Sequence, residues 1–332
     1  MPKRANGLPL MSDALFPAGL VIDQCESDLD RLRDFAKAWN HDYAVRDHRN
    51  FTARFLLAHS LHAQLGIIQY GAGYGIHGIT PPGALTIVIP YPETHLGVCG
   101  GRAVEPRGVI LSNGEREFEY RLEAATRHVT IVLDRPLAES TLPEMLTAAR
   151  SGPGAVLKLS DDETHRNAIR FAESLMQRAR RDPDILRRTP DRFARDLAAL
   201  LAEISYETAA QRNGIRRFAA ARKAMEIIRH ARDQELNIAQ LCAYAGVPKR
   251  TLFQGFCELY GLTPMQYLRL LRLADVRRDL LASGRAASIT EIALDHGFSH
   301  LGRFSAEYRA VYGELPAQTR SGSSPRGEAR PF

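Results

Sequence analysis

Between Phe51 and Leu133 the apolar residues come in short runs: FTARFLLAH, QLGIIQYG, ALTIVIPY, RGVILSN, EFEYRL and RHVTIVL. Gly71, Gly73, Gly75, Pro81, Pro82, Gly83, Asn113 and Gly114 stand between them. Short β-type runs between turn residues predict an antiparallel barrel or sandwich. Ahead of it, ESDLDRLRDFAKAWNHDY carries Leu29, Leu32, Phe35, Ala36 and Trp39 at three- and four-residue spacing and predicts one helix. Behind it the period changes again. ETHRNAIRFAESLMQRARR and PDRFARDLAALLAEISYETAAQR predict two helices joined by RDPDILRRTP, with Asp161, Asp162 and Glu163 at the favoured acidic start of the first. Phe193, Leu197, Leu200, Leu201 and Ile204 make an apolar stripe on the second, more than a linker needs, and are expected to bury it in a homodimer.

The C-terminal third contains an internal repeat. IAQLCAYAGVPKRTLFQGFCELYGLTPMQY begins at Ile238 and ITEIALDHGFSHLGRFSAEYRAVYGELPAQT at Ile289. Each unit has an apolar helix, a glycine (Gly246, Gly297), a second helix, then Tyr-Gly and a proline. A glycine after an apolar helix supplies a left-handed cap, and a short turn sends the next helix steeply across the first. That is helix-turn-helix geometry. Leu241 and Ala245 are expected to pack on Leu252, Phe256 and Leu259, and Ile292 and Ala293 on Phe304 and Tyr308. The intervening PMQYLRLLRLADVRRDLLASG is apolar on two faces, as suits a strut between two small cores.

Charge sharpens this. The chain of 332 residues carries a net +6, but from Ile215 onward Lys+Arg number 18 against 11 Asp+Glu, while the part before is nearly balanced. A compact basic domain points to an anionic partner such as DNA. The four cysteines, Cys25, Cys99, Cys242 and Cys257, show no C-x-x-C pair and read as reduced packing residues. Neither a membrane span nor a signal-peptide pattern stands out, so a cytoplasmic protein without membrane contact is expected.

The segment from about Arg217 to Arg320 resembles the DNA-binding domain of the AraC/XylS family of transcription regulators, through GVPKRTLFQGFCELYGLTPMQYLRLLRL and IALDHGFSHLGRFSAEYRAVYGELPAQTR. AWNHDYAVRDHRNFTARF and the β-rich stretch after it resemble the sensor half of the ethanolamine-utilisation and alkylbenzoate regulators. The resemblance implies an α+β two-domain chain: a cupin-like β-barrel sensor with flanking helices, then an all-α bipartite helix-turn-helix domain. It implies an effector-responsive activator that binds tandem half-sites on double-stranded DNA and works with RNA polymerase. The expected division is an N-terminal arm and helix over 1–50, a sensor over 51–160, helices for dimerisation and linkage over 161–214, a DNA-binding domain over 215–321 and a disordered tail over 322–332.

By the same resemblance, base reading in the first unit falls to Arg250, Thr251 and Gln254, with Lys249 near the phosphates. Phe253 is either packed or set against a thymine methyl. In the second unit the base-reading positions fall at His300, Leu301, Gly302 and Ala306, with Ser299 and Arg303 also expected to touch DNA. Leu301, Gly302 and Ala306 cannot hydrogen-bond a base edge through a side chain, so the first unit is expected to carry sequence reading and the second phosphate contact and shape. In the sensor, Tyr70, Tyr74, Tyr91, His95 and Phe118 suit the lining of a small-molecule cavity. The histidines His59, His62, His77, His95 and His128 raise the alternative of a cupin-like metal enzyme with an appended DNA-binding domain, but no ordered ligand set stands out. No cofactor, metal or catalytic residue is expected.

Overall fold

A computed structural model describes residues 19–28, 31–32, 41–45, 51–94, 96–115, 117–122, 125–150, 155–204, 206–208, 215–230, 236–282 and 287–321. The start of the expected N-terminal arm and the tail lie outside them. The main division of the chain into two compact units falls between Arg212 and Asn213.

The first unit is rich in sheet. Strands β1 (Leu20–Glu26), β3 (Ala53–His59), β4 (Ala63–Tyr70), β6 (Leu85–Pro90), β9 (Gly108–Ser112), β11 (Thr126–Leu133), β12 (Ala155–Leu159) and β13 (Tyr206–Thr208) form one sheet in the order β1-β3-β4-β11-β6-β9-β12-β13. Strands β2 (His41–Val45), β5 (Tyr74–Gly78), β7 (Val98–Cys99), β8 (Arg102–Ala103) and β10 (Phe118–Leu122) form a second, ordered β2-β5-β10-β7-β8. No pairing between the two sheets closes them into a barrel among the described residues. Helices α1 (Arg135–Thr141), α2 (Pro143–Arg150), α3 (Asp162–Arg181), α4 (Ile185–Arg188) and α5 (Pro190–Ala202) complete the unit.

The period of two along the strands decides what each face does. Ala58, Leu65, Ile67, Ile87, Ile89, Leu111, Val129 and Ile131 point one way and join Ala168, Ile169, Ala172, Leu175 and Met176 of α3 in one core. The alternate residues, among them Leu57, Ile68, Thr86, Val88, His128 and Thr130, line a cavity. Phe193, Leu197, Leu201 and Ile204 belong to the helix-side core, each buried, and Leu200 packs against it. The stripe expected at a subunit interface is thus spent on the chain's own sheet, because an eight-stranded sheet presents an apolar face that must itself be covered.

Three local readings change. His41–Tyr43, read as helix, lie on β2. Helix α5 stops at Ala202, and Tyr206 continues as β13 opposite Leu159. The glycine-spaced stretch after Tyr70 contains β5, paired with β10 through Gly75↔Arg121 and Ile76↔Tyr120. In each case cross-strand hydrogen bonding outweighs local pattern.

The second unit is helical: α6 (Ile215–His230), α7 (Ile238–Ala245), α8 (Lys249–Tyr260), α9 (Pro264–Ala282), α10 (Ile289–Asp295), α11 (Leu301–Tyr312) and α12 (Pro316–Ser321). It has two cores. Leu241, Ala245, Leu252, Phe256 and Leu259 share the first with Phe218, Ala221 and Met225 of α6; Ile292, Ala293, Phe298, Phe304 and Tyr308 form the second. Helix α9 contributes Tyr267, Leu268 and Leu271 to one and Leu273, Val276 and Leu280 to the other. Leu281, near the end of α9, joins neither core and is 57% exposed.

Candidate nucleic-acid interface and cavity

Each repeat begins with a reciprocal cap. Asn237 accepts from Gln240 N while the Gln240 side chain accepts from Asn237 N; Ser288 and Glu291 do the same in the second unit. These caps satisfy backbone donors that the first turn leaves open. The turn then rests on one backbone conformation: Gly246 has φ +67° and Gly297 φ +79°, where a side chain would be strained. Helix α6 crosses α8 so closely that a Cβ on Gly255 would lie 2.3 Å from the Arg217 carbonyl oxygen.

Packing of Leu252, Phe256 and Leu259 inward turns the opposite face of α8 to solvent. Lys249, Arg250 and Gln254 are exposed there, with Thr251 and Phe253 half-buried and the Lys249 ammonium 5.5 Å from the Phe253 ring centroid. In the second unit Ser299, His300, Leu301, Gly302, Arg303 and Ala306 are all exposed, and a Cβ on Gly302 would meet nothing within 4 Å. Such a bare first turn lets a backbone or groove wall approach closely.

Two carboxylates that the spacing did not single out hold these faces. Glu258 accepts from Gln254 Nε2 at 3.0 Å and from Arg217 Nε at 2.8 Å. Glu307 accepts from Arg303 Nε at 2.9 Å and also pairs with Arg269 of α9. The i,i+4 spacing of Gln254 to Glu258 and of Arg303 to Glu307 was the available signal. Behind α11, Arg277 reaches Glu314, which accepts from Thr319 Oγ1 at 2.6 Å, and Thr319 meets the Tyr308 hydroxyl at 2.9 Å.

In the first unit, the cavity between the two sheets has a volume of about 80 Å³. Of the expected lining residues, Tyr70, Tyr74 and Phe118 line it. The Tyr70 and Tyr74 rings are 4.0 Å apart, and the His128 ring stacks on Tyr70 at 6.0 Å. Tyr91 does not: its strand ends on the helix side, where its hydroxyl donates to Glu173 Oε1 at 2.7 Å beneath the Arg127 guanidinium. His95 lies outside the described residues. The lining that periodicity did not reveal is polar: His41, Gln64, Thr80, Thr86, His128 and Thr130. A polar residue at alternate positions of an apolar run, as in ALTIVIPY and RHVTIVL, was the sign.

Burial without a counter-charge holds His41 and His128 neutral, each with its pKa lowered to about 4, His41 further by the neighbouring His77. Outside the cavity, His62 sits between Asp134, at 2.6 Å, and Asp191, at 3.3 Å. No grouping of three or more His, Cys, Asp or Glu suited to a metal ion occurs among the described residues, and no described helix is long and apolar enough to cross a membrane.

A family model for a helix-turn-helix domain matches residues 241–322. The chain is 39% identical over 100 residues to "XylDLEGF operon transcriptional activator 2" of Pseudomonas putida, covering 30% of this chain and 64% of that protein. It is 38% identical over 98 residues to "Probable thc operon regulatory protein" of Rhodococcus erythropolis, covering 29% of this chain and 30% of that one. The match therefore spans less than two thirds of either relative. Among solved structures it is similar to a probable AraC family transcriptional regulator from Rhodopseudomonas palustris CGA009, at 31% identity and TM-score 0.30, covering 32% of this chain and 98% of that one.

Proposed function

The C-terminal domain of this chain belongs to the AraC/XylS family of helix-turn-helix domains, and on that premise we propose that the whole protein is an effector-responsive transcription activator. One observation carries the reading: two exposed helix starts, at Lys249 and Leu301, flank a single helix that both cores share. Helix α9 has 19 residues, about 28 Å at 1.5 Å per residue, close to the roughly 34 Å turn of DNA. Both helices can then enter successive major grooves on one side of the duplex, reading tandem half-sites within one chain. Arg250 and Gln254 read base edges, Lys249 meets phosphate, and the second unit supplies backbone contact and shape.

The sheet-rich unit is the cupin-like sensor, and its cavity takes a small effector. An effector changes DNA occupancy only if it binds the DNA-competent arrangement better than the other. Homodimerisation, if it accompanies binding, uses a surface other than the buried stripe from Phe193 to Ile204, and activation follows from contact with RNA polymerase at the promoter.

Genome-wide mapping of sites bound by the full-length protein tests this. The expected result is a shared motif of two elements about one turn apart, with affinity falling steeply as salt rises because bound cations leave the phosphates. Sites without a repeated element, or affinity flat with salt, would overturn it.

A further inference from the structure

The cavity's walls restrict what can occupy it, beyond its being an effector site. We infer that it takes an uncharged, single-ring organic molecule bearing a hydrogen-bonding group, and that it rejects carboxylates. The inference rests on the sensor reading above and narrows it to a ligand class.

On β4, β11 and β6 the cavity side carries the row Gln64, Val132 and Thr86, then Gly66, Thr130 and Val88, then Ile68, His128 and Pro90. Ser112 extends the first row beyond Thr86, and the Thr80 hydroxyl lies 3.0 Å from it. One end of the chamber is thus polar. In the middle row Gly66 leaves room for the Leu57 side chain, which lines the cavity and whose Cδ2 would lie 2.9 Å from a Cβ there. Phe118, Tyr70 and Tyr74 add aromatic rings to the lining.

On residues that line this space, Thr86 Oγ1, His128 Nδ1 and His41 Nε2 are enclosed and have no hydrogen-bond partner among the described residues. Thr86 is 5% and His128 7% exposed, so neither turns to bulk solvent instead. Buried polar groups are normally paired, and sites built around such atoms select ligands able to satisfy them. A hydroxyl, carbonyl or amide on the ligand meets the Thr86 hydroxyl, which can donate or accept; His128, two rows and about 13 Å along the strand away, serves the other end of the chamber.

Charge is excluded by the rest of the wall. No Lys, Arg, Asp or Glu lines the cavity among the described residues. A buried carboxylate needs a cation, and here the nearest source would be an imidazole that burial already holds neutral. Size sets the remaining limit. An engineered apolar cavity of about 150 Å³ accepts benzene; this one, about 80 Å³, takes one ring with slight outward movement of its walls and no fused ring system.

Isothermal titration of the full-length protein at pH 7.5 with phenol, m-cresol and cyclohexanone, against benzoate and cyclohexylamine, decides the matter. At least one neutral probe should bind, at least tenfold tighter than either charged one. Thr86→Val, which keeps the shape and removes the unpaired hydroxyl, should weaken that probe about tenfold without lowering the melting temperature. Val88→Phe, which fills the middle of the chamber, should abolish binding. Benzoate binding as tightly as phenol, no neutral probe binding, or Thr86→Val and Val88→Phe binding like the wild type would overturn the inference. Fluorescence anisotropy on a mapped DNA site separates this from the regulatory reading. Neutral binding without any change in DNA affinity leaves the cavity assignment intact and removes the effector role; DNA binding without any probe bound does the reverse.

Discussion

Arg277 on α9 donates through Nη1 to Glu314 Oε1 at 2.5 Å, and the two side chains are only 13% and 3% exposed. The guanidinium also lies 4.7 Å from the Tyr312 ring centroid. This pair ties the shared helix to the turn that ends α11. Removing one member of a buried pair strands the other charge and costs about 3 to 5 kcal/mol. Arg277→Ala is therefore expected to loosen the second unit, seen as a lower urea midpoint. If the midpoint is unchanged, the pair is solvated and not structural.

Tyr91 tests where the cavity ends. Its hydroxyl serves Glu173 on the helix side, and burial together with that bond raises its pKa. Tyr91→Phe should cost about 1 kcal/mol of stability for one part-buried hydrogen bond and leave titration by a neutral ring compound unchanged. Loss of ligand binding in this variant would place Tyr91 in the cavity wall after all.

The buried histidines give the sheet-rich unit an acid limit. Burial lowers the pKa of His41, His59 and His128 to about 4, below the ordinary 6.5. The unfolded chain then binds more protons than the folded one below pH 6.5. Their contribution is present in full above that pH and is lost as pH falls from about 6.5 to 4. Between pH 7.5 and 5 each should cost roughly 2 kcal/mol, and His128→Leu should flatten the decline. Urea titrations at the two values give the measurement; equal midpoints would mean these rings reach solvent.

Arg250 and Lys249 begin the same exposed helix but should behave differently. Arg250→Ala is expected to cost about 1 to 3 kcal/mol on a specific site and less on random DNA, the mark of a base contact. Lys249→Ala should weaken both alike and reduce the salt slope by about one. Equal losses on both DNAs for Arg250→Ala would assign it to phosphate.

The repeat was legible because each unit's signals are local: a cap, an apolar stripe, a glycine and a Tyr-Gly end within about 30 residues. The same locality failed in the first unit. Tyr206 lies 47 positions beyond Leu159, its strand partner, and nothing near ISYET announces that pairing. The stripe from Phe193 to Ile204 was visible, but periodicity tells that a face is buried and not what covers it. For the cavity, the aromatic residues were easy to choose and the polar ones were not. Thr86 and His128 owe their meaning to a register that sets them on one side of the sheet, where Thr86 Oγ1 and His128 Nδ1 find no hydrogen bond among the described residues.

The two cores of the C-terminal unit lean on one helix, and this limits how such a chain can be recombined. Cutting α9 at its middle would leave each half of the repeat with an open wall, so neither half is a transferable module. A graft of the second repeat onto another protein must bring Leu273, Val276 and Leu280 with it, and with them Tyr267 and Leu271, which need a first core to enter. Substitution on the exposed starts at Arg250 and His300 leaves both cores whole, which shuffling the units does not.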